Sequence, residues 1–198
     1  MLGEPERKEI ARLWARKMDQ DARKLSLAER HRNLEPDSAE FICALAAGLQ
    51  AKRLLEIGGS SGISTIALAA AARQTGGRLK SIEKVAGRQA EARETIARLG
   101  LGEFVEFALA DAADLLPGIA EPVDFALIDC EKNDYIRFFD LIPVAPGAVI
   151  VADNILSHDL RDYVAHVRSL DGVESVTLPV GKGLEVSRIH AAPLAPRV

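Results

Sequence analysis

Leu54-Leu55-Glu56-Ile57-Gly58-Gly59-Ser60-Ser61-Gly62-Ile63-Ser64-Thr65 decides the fold, because an apolar strand runs into a glycine-rich turn and out into a helix. In open α/β sheets such a turn lets backbone approach a ligand closely while the helix N-terminus faces it. Outward from this stretch the chain keeps the same rhythm. Strands are predicted at Arg53–Ile57, Leu79–Glu83, Val105–Leu109, Phe125–Asp129 and Ala148–Ala152, and helices at Ser64–Arg73, Gly87–Leu99, Ala112–Leu115, Tyr135–Leu141 and His158–Leu170. Strands alternating with helices imply parallel strands joined by crossovers and covered on both faces, a doubly wound α/β sheet. Glu174–Val180 and Leu184–Ile189 flank Gly181-Lys182-Gly183 and predict an antiparallel hairpin closing the sheet edge.

Upstream, Ile10, Leu13, Trp14 and Met18 fall at helical spacing, so residues 5–24 read as an amphipathic helix packed on the main body. A second helix starts near Pro36-Asp37-Ser38 and carries Phe41, Ile42, Leu45 and Leu49. At 198 residues and 48% hydrophobic content the chain can bury a sizeable core, and without a repeat or long linker residues 1–198 read as one domain with residues 1–50 capping it. Pro193 and Pro196 mark a tail that reads as frayed.

The net charge of −4 argues against a surface built for nucleic acid or anionic membrane, although residues 1–32 are themselves basic. Cys43 and Cys130 are too few for a disulfide framework, and neither has the spaced partners that zinc needs. With no signal-like start and no membrane-length apolar run, the expected location is the cytoplasm.

Three carboxylates give the glycine-rich turn a ligand. Glu83 ends the next strand, 21 residues after Gly62, where it can accept hydrogen bonds from both ribose hydroxyls of a nucleoside. Asp111-Ala112 can border an adenine ring, and Glu56 can hold the far end of the ligand; Lys84 and Asp129 complete this candidate set. A dinucleotide fingerprint fails, because the third and sixth positions counted from Gly58 are Ser60 and Ile63. A second constellation lies at the ends of strands four and five, in Ile128-Asp129-Cys130-Glu131-Lys132-Asn133-Asp134-Tyr135 and Ala152-Asp153-Asn154. Neighbouring strand ends lie about 5 Å apart. Asp129, Asp153 and Asn154 can therefore offer an all-oxygen set suited to Mg²⁺, Ca²⁺ or Mn²⁺.

The glycine-rich stretch resembles methyltransferase motif I in its Glu-Ile-Gly-x-x-x-Gly-x-Ser-Thr form. Asp-x-x-Lys-x-x-Tyr followed by Ala-Asp-Asn resembles the catechol and caffeoyl-CoA O-methyltransferase family, from about Asn33 to Ile189. The resemblance implies a Rossmann-like methyltransferase sheet and S-adenosylmethionine as methyl donor. It implies that Gly58 and Gly62 make room for the methionine part and that Ser64 binds its carboxylate. A divalent cation on Asp129, Asp153 and Asn154 would bind two neighbouring oxygens of a small catechol-like acceptor, with Lys132 taking the proton.

Glu131 departs from the family pattern, and pairing with Lys132 would make that lysine a poorer base. Cys130 reads as a small buried filler. The insertion that covers acyl-CoA in plant relatives is absent, so the N-terminal helix, from the same subunit or a dimer partner, is a candidate acceptor wall, and its basic residues favour an acidic acceptor. His158 is a further candidate near the acceptor, and an exposed apolar stripe on the N-terminal helix would favour a homodimer. Two other readings stay open: a metal-independent methyltransferase for another acceptor, and a non-catalytic S-adenosylmethionine-binding protein.

Overall fold

The computed structural model describes residues 2–26 and 29–190; the tail at Pro193 and Pro196 lies outside them. Helices α1 (Glu4–Ala22) and α2 (Pro36–Gly48) precede a regular alternation: β1 (Arg53–Ile57), α3 (Ile63–Thr75), β2 (Arg78–Glu83), α4 (Ala86–Arg98), β3 (Val105–Leu109), α5 (Ala112–Leu115), β4 (Val123–Ile128), α6 (Tyr135–Leu141), β5 (Val144–Ala152) and α7 (Arg161–Ser169). The hairpin β6 (Val173–Leu178) and β7 (Leu184–Ile189) ends the fold. The sheet runs β3-β2-β1-β4-β5-β7-β6. Strands β1 to β5 are parallel, and β7 inserts antiparallel between β5 and β6. This is the doubly wound sheet expected from the alternation, with the predicted hairpin at its edge.

Because the inner strands are covered on both faces, they read as continuous apolar runs rather than alternating ones. Leu54 to Ile57 and Phe125 to Ile128 are all buried. One apolar layer joins α1, α2 and α3 to the sheet through residues such as Leu13, Ile42 and Ile66; the other joins α6 and α7 through Phe139, Tyr163 and Val167. The alanine run of α3, Ala69 to Ala72, is buried and lets α2 approach closely.

Three local expectations shift. The buried face of α1 runs through Glu6, Ile10, Leu13 and Lys17, whereas Met18 is exposed and Trp14 only partly covered. Glu6 and Lys17 can lie inward because Arg73 and Asp21 pair with them, at 2.8 Å and 2.6 Å. Strand β5 begins at Val144 rather than Ala148, its register against β4 slipping around Pro146-Gly147. Helix α7 begins at Arg161 rather than His158, because residues 154–159 form turns in which Asn154 O accepts from Ser157 N and His158 N. No described helix is long and apolar enough to cross a membrane.

Register positions the site. Ile57 pairs with both Ile82 and Ile128, and Ile128 with Ala152, so four strands end level. Gly58, Glu83, Asp129 and Asp153 are the residues that follow or close these ends. They crowd one sheet edge at the point where strand order reverses between β1 and β4, the place where open α/β sheets bind ligands.

Candidate functional site

Two chambers meet at this edge. The first, an open crevice, is lined by Gly58, Glu83, Lys84, Asp111, Ala112 and Asp129 among the residues singled out from sequence. Ser60 of the glycine-rich stretch lines it as well, together with Arg32, Arg88 and Phe138, which belong to no motif and whose places follow only from the fold.

Gly58 makes the crevice possible. At φ +97°, a Cβ there would lie 2.0 Å from the Asp129 carbonyl oxygen, so only glycine lets the loops after β1 and β4 close on each other. Glu83 accepts from Ser60 N at 2.9 Å through one carboxylate oxygen and from Val85 N at 2.9 Å through the other. Both oxygens keep a free lone pair, and the backbone bonds fix the carboxylate at the crevice wall. Asp111 caps α5, accepting from Ala113 N at 2.9 Å.

Glu56, Gly62 and Ser64 do not line the crevice; the Glu56 and Ser64 side chains are buried. Glu56 accepts from Thr65 Oγ1 at 2.7 Å and from Ser81 Oγ. Burial pushes its carboxyl upward against the opposing hydrogen bonds of Ser64, Ser81 and Thr65. Gly62, at φ +110°, caps α3, and a Cβ there would lie 3.3 Å from Ala92 of α4.

The second chamber, about 190 Å³, shares Arg32 and Asp129 with the first. Lys132, Asn154 and His158 line it together with Lys17 and Asp21 of α1, Arg30, and Lys182 of the hairpin loop. At the join, Lys132 Nζ lies 3.4 Å from Asp129 Oδ1 and donates to Tyr135 Oη at 2.6 Å. Tyr135 Oη in turn donates to the Asp153 carbonyl at 3.1 Å, and its ring is held edge-on by Tyr163. Glu131 pairs with Arg32 instead of Lys132. Burial would raise the Glu131 carboxyl, but that guanidinium holds it below its ordinary value. Cys130 is half-buried at the crevice, its thiol pushed up by burial.

The three oxygen-bearing candidates converge. Asn154 Nδ2 donates to Asp129 Oδ1 at 3.2 Å and to Asp153 Oδ2, and Asn154 itself sits at φ +69°, a conformation asparagine tolerates better than most residues. Burial, then the neighbouring Asp129, raises the Asp153 carboxyl to about 8; burial also raises Asp129, against the pull of Lys132. Asp153 Oδ1 is buried without a partner. Among the described residues no group of three or more His, Cys, Asp or Glu side chains is placed so that it could hold a metal ion. Two carboxylates, one of them with an orphaned oxygen, and one amide nevertheless fit a hard divalent cation, since a cation would satisfy that oxygen and relieve the repulsion.

Strand order and crevice define the class: a Rossmann-like protein related to class I S-adenosylmethionine-dependent O-methyltransferases. The chain belongs to the family described as Protein of unknown function (DUF1442), which matches residues 10–196. A catechol O-methyltransferase of Mycobacterium tuberculosis is 38% identical over 141 residues, covering 66% of this chain and 64% of that protein. A catechol O-methyltransferase of Niastella koreensis is 36% identical over 130 residues, covering 63% and 58%. The chain thus spans about three fifths of these relatives' lengths. The crystal structure of cofactor-bound Rv0187 from MTB superposes with a TM-score of 0.80 at 26% identity, covering 96% of this chain and 92% of that one.

Proposed function

We propose that the chain is an S-adenosylmethionine-dependent O-methyltransferase whose acceptor is a small catechol-like molecule, with a divalent cation assisting. The observation that carries the proposal is that Asp129 lines both chambers, so a nucleoside crevice opens directly onto the Asp129–Asp153–Asn154 corner. S-adenosylmethionine supplies an electrophilic methyl group, which leaves the protein mainly the task of alignment, where orientation can contribute up to roughly 7–11 kcal/mol. Glu83 binds the ribose hydroxyls, Asp111 and Ala112 border the base, and Gly58 leaves room for the methionine part. Lys84 borders the same crevice. Glu56, Gly62 and Ser64 are positioning residues that hold the turn from beneath.

A hard divalent cation held by Asp129, Asp153 and Asn154 would lower the pKa of a catechol hydroxyl. Lys132 takes the proton from the hydroxyl being methylated. Tyr135 and Asp129 fix its amine at the join of the chambers. The chain acts as one domain in the cytoplasm, without nucleic acid or membrane as a partner.

Calorimetric titration with S-adenosylmethionine, followed by methyl transfer to a panel of catechols with Mg²⁺ or with chelator, tests the reading. Asp153→Ala is expected to cut metal-dependent turnover by roughly 10²-fold or more while cofactor affinity stays nearly constant. Equal loss of both would refute the division of labour between the chambers. One feature favours a metal-free variant of the reaction: the Asn154 amide already bridges both carboxylates. Transfer that survives the chelator would select it.

A further inference from the structure

The second chamber carries more positive than negative charge, and the surplus has an address. Five Lys or Arg side chains line it against two carboxylates. Three of the five are matched one to one: Arg32 with Glu131, Lys132 with Asp129, and Lys182 with Glu35 at 2.7 Å. The remaining two share a single partner. Lys17 Nζ lies 2.6 Å from Asp21 Oδ2 and Arg30 Nη1 lies 3.1 Å from Asp21 Oδ1. Two cations on one carboxylate leave one net positive charge among the described residues.

They also leave donors unused among the described residues. An ammonium has three N–H groups and a guanidinium five, and each of these side chains spends one on Asp21. Lys17 is otherwise hard to account for. Its side chain is only 9% exposed on the buried face of α1, lying over the Trp14 ring at 4.9 Å, where an apolar residue would pack without needing a partner. Lys17 lines the same chamber as Asp129 and Asn154.

We propose that the acceptor is a catechol bearing a carboxylate, which Lys17 and Arg30 bind while its two hydroxyls meet the Asp129–Asn154 corner. The inference rests on the acceptor site proposed above. A cavity of about 190 Å³ suits one substituted aromatic ring, since about 150 Å³ is enough to hold benzene. The surplus of a single charge matches a monoanion, and the paired donors suit the two oxygens of a carboxylate. Lys17 and Arg30 are thereby specificity-determining residues: they touch the acceptor but not the atoms that react.

The test is equilibrium binding of 3,4-dihydroxybenzoate and of 3,4-dihydroxybenzamide to the full chain with S-adenosylhomocysteine and Mg²⁺, alongside methyl transfer to both. The carboxylate is expected to bind roughly tenfold more tightly than its neutral isostere, with the preference shrinking as salt is raised. Arg30→Gln should remove most of that preference, and Lys17→Gln should do the same. Arg30 is the safer variant, because its side chain is 32% exposed and its loss disturbs no core packing. Equal binding of acid and amide, tighter binding of the amide, or binding of neither overturns the inference. So does a preference that survives both substitutions. A carboxylate preference without methyl transfer to either compound supports the anion site and overturns the methyltransferase reading instead.

Discussion

A single hydrogen decides whether the crevice can form. The Cβ of an alanine at position 58 would fall 2.0 Å from Asp129 O and 2.8 Å from the Asp129 carbonyl carbon, at φ +97°. Both contacts are to backbone, so no side chain can swing away; the loops after β1 and β4 must part. Gly58→Ala is expected to destabilise the fold by roughly 2–4 kcal/mol and weaken cofactor binding at least tenfold. Gly147 provides the control, since at φ +85° it opens into free space. Gly147→Ala should cost only backbone strain, about 1 kcal/mol, and leave cofactor binding unchanged in the same melts and titrations. That Gly58 needs to be glycine is readable from the strand-turn-helix pattern, but the carbonyl it must avoid lies 71 residues away and is not. The Arg32–Glu131 pair escapes sequence reading for the same reason: it joins two loops 99 residues apart, and no periodicity marks a loop pairing.

Helix α1 was legible as a helix but not in its orientation. Hydrophobic spacing alone selects Met18 for the buried face and rejects Glu6 and Lys17, whereas pairing with Arg73 and Asp21 lets those two side chains lie inward. Glu6 meets Arg73 of α3 at 2.8 Å, Arg7 meets Glu40 of α2 at 2.6 Å, and Glu9 meets Arg98 of α4 at 2.6 Å. These pairs make the docking acid-sensitive. The hydrogen bond from Arg12 chiefly, opposed by burial and aided by Arg98, lowers the Glu9 carboxyl to about 2. Glu6 and Glu40 are lowered as well, Glu6 against its burial and Glu40 chiefly by Arg7. A carboxyl lowered in the folded state contributes stability that is present above its ordinary value and lost as pH falls through the folded one. The docking of α1 should therefore weaken as pH falls below about 4.5, through Glu6 with Arg73, Glu40 with Arg7 and the part of the Glu9 shift that comes from Arg98, since Arg12 lies on α1 itself. Trp14, the only tryptophan, lies on this helix and packs partly on the core. Its emission should shift to the red in that window before far-ultraviolet circular dichroism falls, and Glu9→Gln should move the shift to higher pH. Coincident loss of both signals at one pH would mean that α1 does not undock separately.

At the scale of the molecule, function depends on four strands ending level, a consequence of parallel register that the alternating sequence pattern does convey. The crevice at the strand ends and the meeting of Asp129, Asp153 and Asn154 were therefore legible in outline as places in the fold. The second chamber was less so, because α1, the segment before α2 and the hairpin loop reach it from distant parts of the chain. The two chambers share Asp129, so their ligands should stabilise one cooperative unit. S-adenosylhomocysteine at a hundred times its Kd adds about 2.7 kcal/mol, which for a domain of this size raises Tm by roughly 5–10 °C. Mg²⁺ should add a further rise by satisfying Asp153 Oδ1. Asp153→Asn separates the two effects. Burial pushes the Asp153 carboxyl to about 8, so its ionised form is costly without a cation, and the neutral amide should match or exceed the unsubstituted protein in metal-free melts. It should keep the full shift with S-adenosylhomocysteine and lose the shift with Mg²⁺. If Mg²⁺ still raises Tm in Asp153→Asn, the cation binds elsewhere and the acidic corner has another purpose. If the S-adenosylhomocysteine shift disappears as well, the two chambers are not the separable sites that their geometry describes.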